Sequence, residues 1–265
     1  LYNWLLTNKI SLNSTKTEMI IFQKKGFKIN WKWNVRLNGY KLKLSDQIKY
    51  LGIYLDKYLN GHYQSKLVIQ KLARAIGMLS KVRHYAPKSE IKNIYHAIFE
   101  SHLRYGCQIW FLSNSEFIKD KIEKLQKKAL RFMSFSDLRE PSSPLFKEWK
   151  ILKIKDIVEI ENCLLVHDFL KGKLPQSFEN FFQKCSTLHT HPTRFSNSEC
   201  LYRPRTRSVT YGMKSITNVC IHSWNNLAKI IDKPSALSKN ELKKQCLITL
   251  FLTIDWIIKQ IDKIS

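Results

Sequence analysis

Acidic residues are scarce in this chain of 265 residues. It has 21 Asp and Glu against 45 Lys and Arg, which gives a formal charge of +24. Such an excess is unusual for a cytosolic enzyme, because like charges destabilise the compact state unless a polyanion is bound. The composition therefore favours nucleic acid as the partner, with an acidic membrane surface as the second candidate.

The few acidic residues are also dispersed. No two are adjacent, and the first 60 residues hold only Glu18, Asp46 and Asp56. Metal-dependent phosphoryl transfer requires converging carboxylates that neutralise the cations. Glycine is scarce as well, and the chain has neither a Gly-rich phosphate loop nor a Gly-x-Ser-x-Gly elbow. We therefore predict no catalytic residues and no metal site in this chain.

Paired cysteine motifs are absent. The six cysteines lie far apart and form no Cys-x-x-Cys, which favours reduced thiols over a disulfide framework. Cys185, His189, His191 and Cys200 are residue types that bind zinc, but their order C-x3-H-x-H-x8-C matches no standard zinc spacing. A zinc site there is the less favoured alternative to an irregular loop with incidental histidines.

Long hydrophobic runs are absent too. The most apolar stretch, residues 246–258, is too short to span a bilayer and contains Asp255, so it predicts a buried helix. With no targeting pattern either, we predict a protein of the nucleus and cytoplasm that does not associate with membranes. Because the first residues read as the middle of an amphipathic helix without an initiating Met, we also expect a fragment of a longer protein.

Hydrophobic periodicity divides the chain into strands followed by helices. After a first helix, strands are predicted at residues 17–23 and 48–55, and Asn38-Gly39 between two alternating runs predicts a two-residue hairpin. From residue 61 the period is helical, with helices predicted at 62–86, 88–111, 115–134, 144–151, 154–170, 214–228 and 239–260. Residues 185–213 are basic and irregular. The predicted class is α+β, with a short antiparallel sheet before a mostly helical remainder.

A basic face is predicted on the helix at 115–134. It consists of the same-sign residues Lys119, Lys121, Lys124, Lys127, Lys128 and Arg131. Aromatic residues occur before it in the sequence, and this combination suits phosphate contact with base stacking. The aromatic residues are Tyr85, Tyr95, Tyr105 and Trp110. A charge run that is merely solvated is the alternative.

Three stretches carry a family resemblance: WLLTNKISLNSTKTEMIIF, KYLGIYLD, and KLARAIGMLSKVRHYAPKSEIKNIYHAIFESHLRYGCQIW. In this order they resemble the segment of non-LTR (LINE-type) retrotransposon reverse transcriptases that follows the catalytic aromatic-Ala-Asp-Asp motif. VHDFLKGKLPQSFENFF, RPRTRSVTYGMKSI and the stretch with Cys220, Trp224 and Asn225 resemble the region after the thumb in that family. The resemblance covers nearly all of the chain, which departs from the family in lacking the catalytic Asp pair, the fingers and an endonuclease.

The resemblance implies three domains: residues 1–60 as the end of the palm, 61–138 as a helical thumb, and 139–265 as a C-terminal helical region. Lys16 would lie near the active site and contact the incoming nucleotide phosphate. Leu51, Gly52 and Ile53 would form the primer grip, where Gly52 lets the backbone approach the primer. The thumb would contact the template–primer backbone through Lys66, Lys71, Arg74, Lys81 and Arg83. Together with Lys124, Lys127, Lys128 and Arg131 of the basic face, these residues are the predicted nucleic-acid-binding residues.

The function implied is that of an RNA-directed DNA polymerase fragment. It would bind RNA and DNA as a template–primer duplex, need the N-terminal fingers and palm of its parent to polymerise, and hold no cofactor itself, with Mg²⁺ expected only in the full-length parent. Two alternatives are a stand-alone basic RNA- or DNA-binding adaptor and a basic scaffold that contacts only proteins. Coding sequence for aromatic-Ala-Asp-Asp shortly upstream of Leu1 would favour the first reading, and a start codon there the adaptor.

Overall fold

The computed structural model describes residues 2–13, 16–27, 34–37, 39–188 and 199–249. The chain forms two compact units, Leu1–Leu67 and Val68–Ser265. Among the described residues of the first unit, Ile53 is the one buried hydrophobic side chain, whereas the second unit contains two extended hydrophobic cores. The two units therefore differ in how much of their stability apolar burial supplies.

The first unit contains one short helix and short strands. They are α1 (Tyr2–Thr7), β1 (Glu18–Met19), β2 (Arg36–Leu37), β3 (Tyr40–Lys41), β4 (Lys43–Leu44), β5 (Gln47–Tyr50) and β6 (Ile53–Asp56). Strands β2 and β3 pair antiparallel with Leu37 opposite Tyr40, which confirms the hairpin predicted at Asn38-Gly39. Strands β5 and β6 also pair antiparallel. The α+β class is confirmed.

Three strand predictions differ from the structure. The strand predicted at 17–23 is limited to the two residues of β1, and β1 pairs with β4 in parallel, not antiparallel, orientation. Residues 28–33, most of the strand predicted before Asn38, lie outside the described residues. The strand predicted at 48–55 is instead a hairpin, because the chain turns at Leu51 and Gly52.

Helices form the second unit. They are α2 (His62–Val82), which begins in the first unit, α3 (Lys88–Tyr95), α4 (Ser101–Arg104), α5 (Cys107–Trp110), α6 (Glu116–Met133), α7 (Ser143–Glu148), α8 (Ile154–Leu170), α9 (Cys185–Leu188) and α10 (Ile216–Leu227). A π turn, His96–Glu100, joins α3 to α4. Residues 239–249 are also helical. The single helix predicted at 88–111 is wrong, since Gly106 adopts φ +61° and ends it.

The two cores meet on α8. One is built from α2 to α7 and includes Ile154 and Val158 of α8; the other lies between α8 and α10 and includes Ile157 and Trp224. Helix α8 is therefore apolar around most of its circumference, as expected of a helix buried on more than one side. Helix α6 packs into the first core on one side, so its opposite side is left to solvent.

A buried glutamine connects three parts of the first core. Gln126 of α6 is 1% exposed. Its Nε2 donates hydrogen bonds to the Tyr95 hydroxyl at 3.0 Å and to the Leu152 carbonyl at 2.7 Å, and its Oε1 accepts one from the Ile154 amide at 3.0 Å. Tyr95 ends α3, Leu152 lies just before α8, and Ile154 begins α8. The Gln126 side chain therefore holds these three segments in place relative to one another.

A charged cluster joins α4 to α8. Glu100 is buried and accepts hydrogen bonds from His96 Nδ1 at 2.6 Å and from Arg104 Nη2 at 2.8 Å, while Arg104 Nη1 donates to Glu161 of α8. Burial raises the pKa of Glu100, but the hydrogen bonds from His96 and Arg104 outweigh it and hold the pKa below its ordinary value. Arg104 is therefore the cation that compensates this buried carboxylate.

The cysteines are free thiols. The Cys185 amide donates to the Cys200 carbonyl at 3.0 Å, so the two cysteines of the zinc alternative lie close together, whereas His189 and His191 lie outside the described residues. Of the apolar run at 246–258, only residues 246–249 are described, and they are helical. None of the helices in the described part of the chain is both long enough and apolar enough to cross a membrane.

Candidate nucleic-acid interface

The turn between β5 and β6 has an unusual backbone. Leu51 adopts φ +46° and Gly52 φ +84°, between the paired residues Tyr50 and Ile53. Two successive positive φ angles are what a two-residue type I′ turn requires. Gly52 adopts this conformation without strain, whereas a leucine does so at a cost of about 1–2 kcal/mol. Strain of this kind is concentrated at functional sites, which marks the turn as a candidate contact.

The tip of this hairpin is apolar and exposed. Leu51 is 74% exposed and Tyr50 is 62% exposed, whereas Ile53 is buried. The base of the hairpin is fixed, because the Tyr54 amide donates to Gln64 Oε1 at 3.0 Å at the start of α2. Of the three predicted primer-grip residues, Leu51 and Gly52 therefore lie at the surface and Ile53 is buried.

The turn before β1 presents Lys16. Asn13 organises this turn, since its Oδ1 accepts a hydrogen bond from the Lys16 amide at 3.1 Å and its carbonyl accepts one from the Thr17 hydroxyl at 2.8 Å. This is the local chemistry by which Asn stabilises turns. The Lys16 side chain is exposed. Lys16 and the hairpin tip both belong to the first unit.

The predicted basic residues of α2 are exposed. Lys71, Arg74 and Lys81 are three and seven residues apart, a spacing that places them on one side of a helix, opposite the buried Leu72 and Leu79. No carboxylate in the described part of the chain forms an ion pair with any of these three residues. Lys66 is also exposed and lies in the part of α2 that belongs to the first unit.

Helix α6 carries the second basic face. Lys124, Lys127, Lys128 and Arg131 recur at intervals of three and four residues and lie opposite the buried side of the helix. None of the three lysines is in an ion pair with a described carboxylate, and Lys128 lies over the Phe132 ring at 5.6 Å. We call Lys124, Lys127 and Lys128 the α6 lysine face.

Three basic residues of the predicted interface make contacts inside the protein. Arg83 Nη1 donates to the Phe132 carbonyl at 2.8 Å, and its guanidinium lies 4.4 Å from the Phe135 ring centre. Arg131 Nε and Nη2 both donate to the Glu140 carbonyl, at 2.9 and 2.8 Å. Lys119 pairs with Glu116 at 2.9 Å. The charges of these three side chains contribute to the local electrostatic potential. Some of their N–H groups, however, already donate to protein acceptors and so are not available to a phosphate.

The aromatic residues proposed for base stacking separate into two groups. Tyr95 and Trp110 are fully buried in the first core and are not available to a ligand. Tyr85 and Tyr105 are exposed, Tyr85 at 91%. The stacking prediction is therefore wrong for Tyr95 and Trp110 and stays a prediction for the other two.

Tyr50 was not predicted as a site residue, although it stands directly beside the strained turn. Alternation along 47–50 could not have identified it, because alternation groups Tyr50 with the half-buried Ile48, whereas Tyr50 is exposed. No protein-family model, no curated protein and no solved structure matches this chain.

Proposed function

We propose that this chain is the C-terminal part of a non-LTR retrotransposon reverse transcriptase, consisting of the palm end, the thumb and the region that follows. It binds the backbone of a template–primer duplex and does not polymerise alone. The observation that carries the proposal is the set of basic residues on the exposed sides of α2 and α6 that form no ion pair with a described carboxylate. They are Lys71, Arg74, Lys81, Lys124, Lys127 and Lys128. Rigid helices that present cations of one sign suit contact with phosphates.

The hairpin tip supports a contact with the primer. A strained, exposed Leu51 beside Gly52 offers an apolar side chain together with accessible backbone, which suits the sugar and base of a primer end. The thin core of the first unit supports the proposal that this unit is the end of a palm. Its exposed apolar residues need a covering surface, which we propose is the rest of the polymerase palm; they include Trp4, Leu6, Phe22, Phe27 and Leu44.

The aspartates of the first unit do not fit a metal centre for phosphoryl transfer. Asp46 pairs with Lys57 at 2.8 Å. The Asp56 carboxylate accepts hydrogen bonds from the amides of Tyr58 at 3.0 Å, Asn60 at 3.3 Å and Gly61 at 3.0 Å, so it organises the loop between β6 and α2. Because both carboxylates serve local structure, we derive no catalytic step from this chain.

Neutralising the α6 lysine face is expected to weaken duplex binding. The variant Lys124→Gln, Lys127→Gln, Lys128→Gln removes up to three phosphate contacts. For an RNA–DNA hybrid, the slope of log K against log salt should become shallower by about 0.9 for each phosphate that the variant no longer neutralises. Affinity at low salt should fall by at least about tenfold. Fluorescence anisotropy at several salt concentrations measures both quantities.

The matched control removes the same charge elsewhere. Lys171, Lys173 and Lys229 are exposed and lie after α8 and α10, so their replacement by Gln lowers the net charge equally. We expect a small, salt-sensitive loss of affinity and a nearly unchanged slope for this control. Equal slopes for the control and for the α6 variant would show that net charge, rather than the α6 lysine face, drives binding.

Leu51→Asn is expected to change stability and binding in opposite directions. Asn tolerates positive φ better than Leu, so the variant should gain about 1 kcal/mol in the free energy of unfolding of the hairpin. If Leu51 contacts the primer, affinity for a hybrid with a recessed 3′ end should fall roughly fivefold, the equivalent of about 1 kcal/mol of apolar burial. A blunt hybrid serves as the control substrate. A variant that is more stable and binds both hybrids as tightly as wild type would exclude the primer contact.

A further inference from the structure

The segment RPRTR, residues 203–207, has arginine at every second position. Residues 202–208 belong to no helix or strand and all are exposed. Within the described part of the chain, no carboxylate pairs with Arg203, Arg205 or Arg207. We call these three residues the arginine ribbon. Its three like charges lie close together in the sequence, and the chain on either side of them is well anchored.

The chain is fixed just before the ribbon. Leu201 is buried, and the Asn225 side chain of α10 holds both of its backbone groups, accepting from the Leu201 amide at 2.8 Å and donating to the Leu201 carbonyl at 2.8 Å. The Tyr202 amide donates to the Gln183 carbonyl at 2.8 Å. Trp224 Nε1 donates to the Glu199 carbonyl at 2.9 Å. The ribbon therefore starts from a fixed point on the second core.

The chain is fixed again at its other end. Thr206 packs so closely on Gly212 that a Cβ atom at position 212 would lie 2.7 Å from the Thr206 Cβ. The Gly212 carbonyl accepts hydrogen bonds from the Ser215 hydroxyl at 2.7 Å and from Asn218 Nδ2 at 3.0 Å. The chain is thus anchored before the ribbon and again at Thr206, between Arg205 and Arg207, which lowers the backbone entropy lost when a ligand binds.

The sequence of the segment favours an extended backbone. Pro204 fixes its own φ and disfavours the helical conformation for Arg203. In an extended chain two residues rise about 6.6 Å. The backbone positions of Arg203 and Arg205 are therefore spaced comparably with neighbouring phosphates in a polynucleotide strand, and the chain bends at Arg207, which carries the third charge.

We propose that the arginine ribbon binds the backbone of a single-stranded polynucleotide. Each guanidinium can hold one phosphate through two parallel hydrogen bonds, a geometry that lysine cannot provide. Tyr202 directly precedes Arg203 and is 40% exposed, so it offers a ring on which an unpaired base can stack. The bases of a duplex are already stacked on one another, so a row of cations beside an exposed ring fits a single strand better.

This inference rests on the proposed function, because it adds a single-strand contact to a chain that holds a duplex elsewhere. The α6 lysine face and the ribbon lie on different elements and are predicted to respond to different ligands. Single strands next to a primed duplex are present whenever a template extends beyond its primer, so the two contacts are compatible with one bound substrate.

The test uses the variant Arg203→Gln, Arg205→Gln, Arg207→Gln in the full chain, with labelled oligo(U) and oligo(dT) as probes. We expect affinity for the single strands to fall at least tenfold, and the slope of log K against log salt to become shallower by about 2, or 0.7 for each phosphate contact. The corresponding Arg→Lys triple variant should keep the slope and lose affinity severalfold. Comparing oligo(U) with oligo(dT) distinguishes RNA from DNA as the preferred strand.

Two further variants make the result decisive. The Lys171, Lys173 and Lys229 variant has the same net charge and should bind single strands nearly as wild type does. Gly212→Ala changes no charge but displaces Thr206. Because Thr206 positions the ribbon, we expect this variant also to bind single strands more weakly. Thermal unfolding of each variant shows whether the fold is retained.

The inference is overturned if the ribbon variant binds oligo(U) and oligo(dT) as tightly as wild type does. If the α6 variant still loses duplex affinity in that case, the proposed function survives without the ribbon. If neither variant changes any nucleic-acid affinity, both proposals fail. A ribbon variant that loses only its binding to vesicles of anionic phospholipid identifies a membrane surface as the partner and overturns the single-strand inference.

Discussion

Gln126→Leu is expected to destabilise the second unit by about 4 kcal/mol. Leucine is similar in volume to glutamine but cannot replace its hydrogen bonds, so the variant leaves the Ile154 amide, the Leu152 carbonyl and the Tyr95 hydroxyl without this partner in the core. Each buried polar group that loses its partner costs about 1–3 kcal/mol. Urea unfolding followed by tryptophan fluorescence measures the change, since Trp110 and Trp149 lie in the same core.

The control is Gln70→Leu. Gln70 is exposed on α2, so its replacement should change the free energy of unfolding by no more than about 0.5 kcal/mol. A Gln126→Leu variant as stable as this control would mean that the three hydrogen bonds are not needed in the folded state. The position of α8 against α3 and α6 would then have to be explained by apolar packing alone.

Arg104→Met should destabilise the second unit by about 1.5–3 kcal/mol at neutral pH, less than for a fully buried pair because the Arg104 side chain is 29% exposed. Methionine keeps much of the aliphatic length of arginine but removes the cation that Glu100 and Glu161 share. The change is costly because Glu100 stays buried and keeps, among the described residues, only the hydrogen bond from His96. Arg139→Met, at an exposed position, is the matched control.

The effect of Arg104→Met should depend on pH. In the wild type the pKa of Glu100 is lowered, so the stability that its charged form contributes is present above the ordinary carboxyl pKa and is lost as the pH falls through the lowered value. Without Arg104 the burial of Glu100 favours its neutral form, so protonation relieves the penalty. The difference between variant and wild type should therefore be smaller at about pH 4 than at about pH 7. A difference that is constant across this range would contradict the assignment of Glu100.

Local sequence signals predicted the regular parts of the fold. The Asn38-Gly39 pair predicted the hairpin between β2 and β3. Uninterrupted helical periodicity predicted α6 and α8 nearly to their ends. The same signals did not predict the turn at Leu51, because leucine is a poor residue for positive φ and only the surrounding structure imposes it. Gly106 was missed for a similar reason, since a single glycine inside a helical pattern often continues the helix.

The candidate site was predictable in part. Helical spacing placed Lys124, Lys127 and Lys128 on one face directed away from the core, as the structure shows. Spacing could not reveal that Arg83 and Arg131 donate to backbone carbonyls, because the partners are Phe132, across the packed helices, and Glu140, in the loop beyond α6. The tertiary contacts of polar residues such as Gln126 and Arg104 are likewise set by packing and leave no periodic signal in the sequence.

We propose that rigid helices of this chain hold a polynucleotide through its phosphates. The most direct test is the affinity of the wild-type chain for an RNA–DNA hybrid between about 50 and 200 mM salt. We expect log K to fall linearly with log salt, with a slope steeper than about −3, because at least about four of the basic residues named on α2 and α6 should each displace a counterion. An affinity that is unchanged across this range would contradict it.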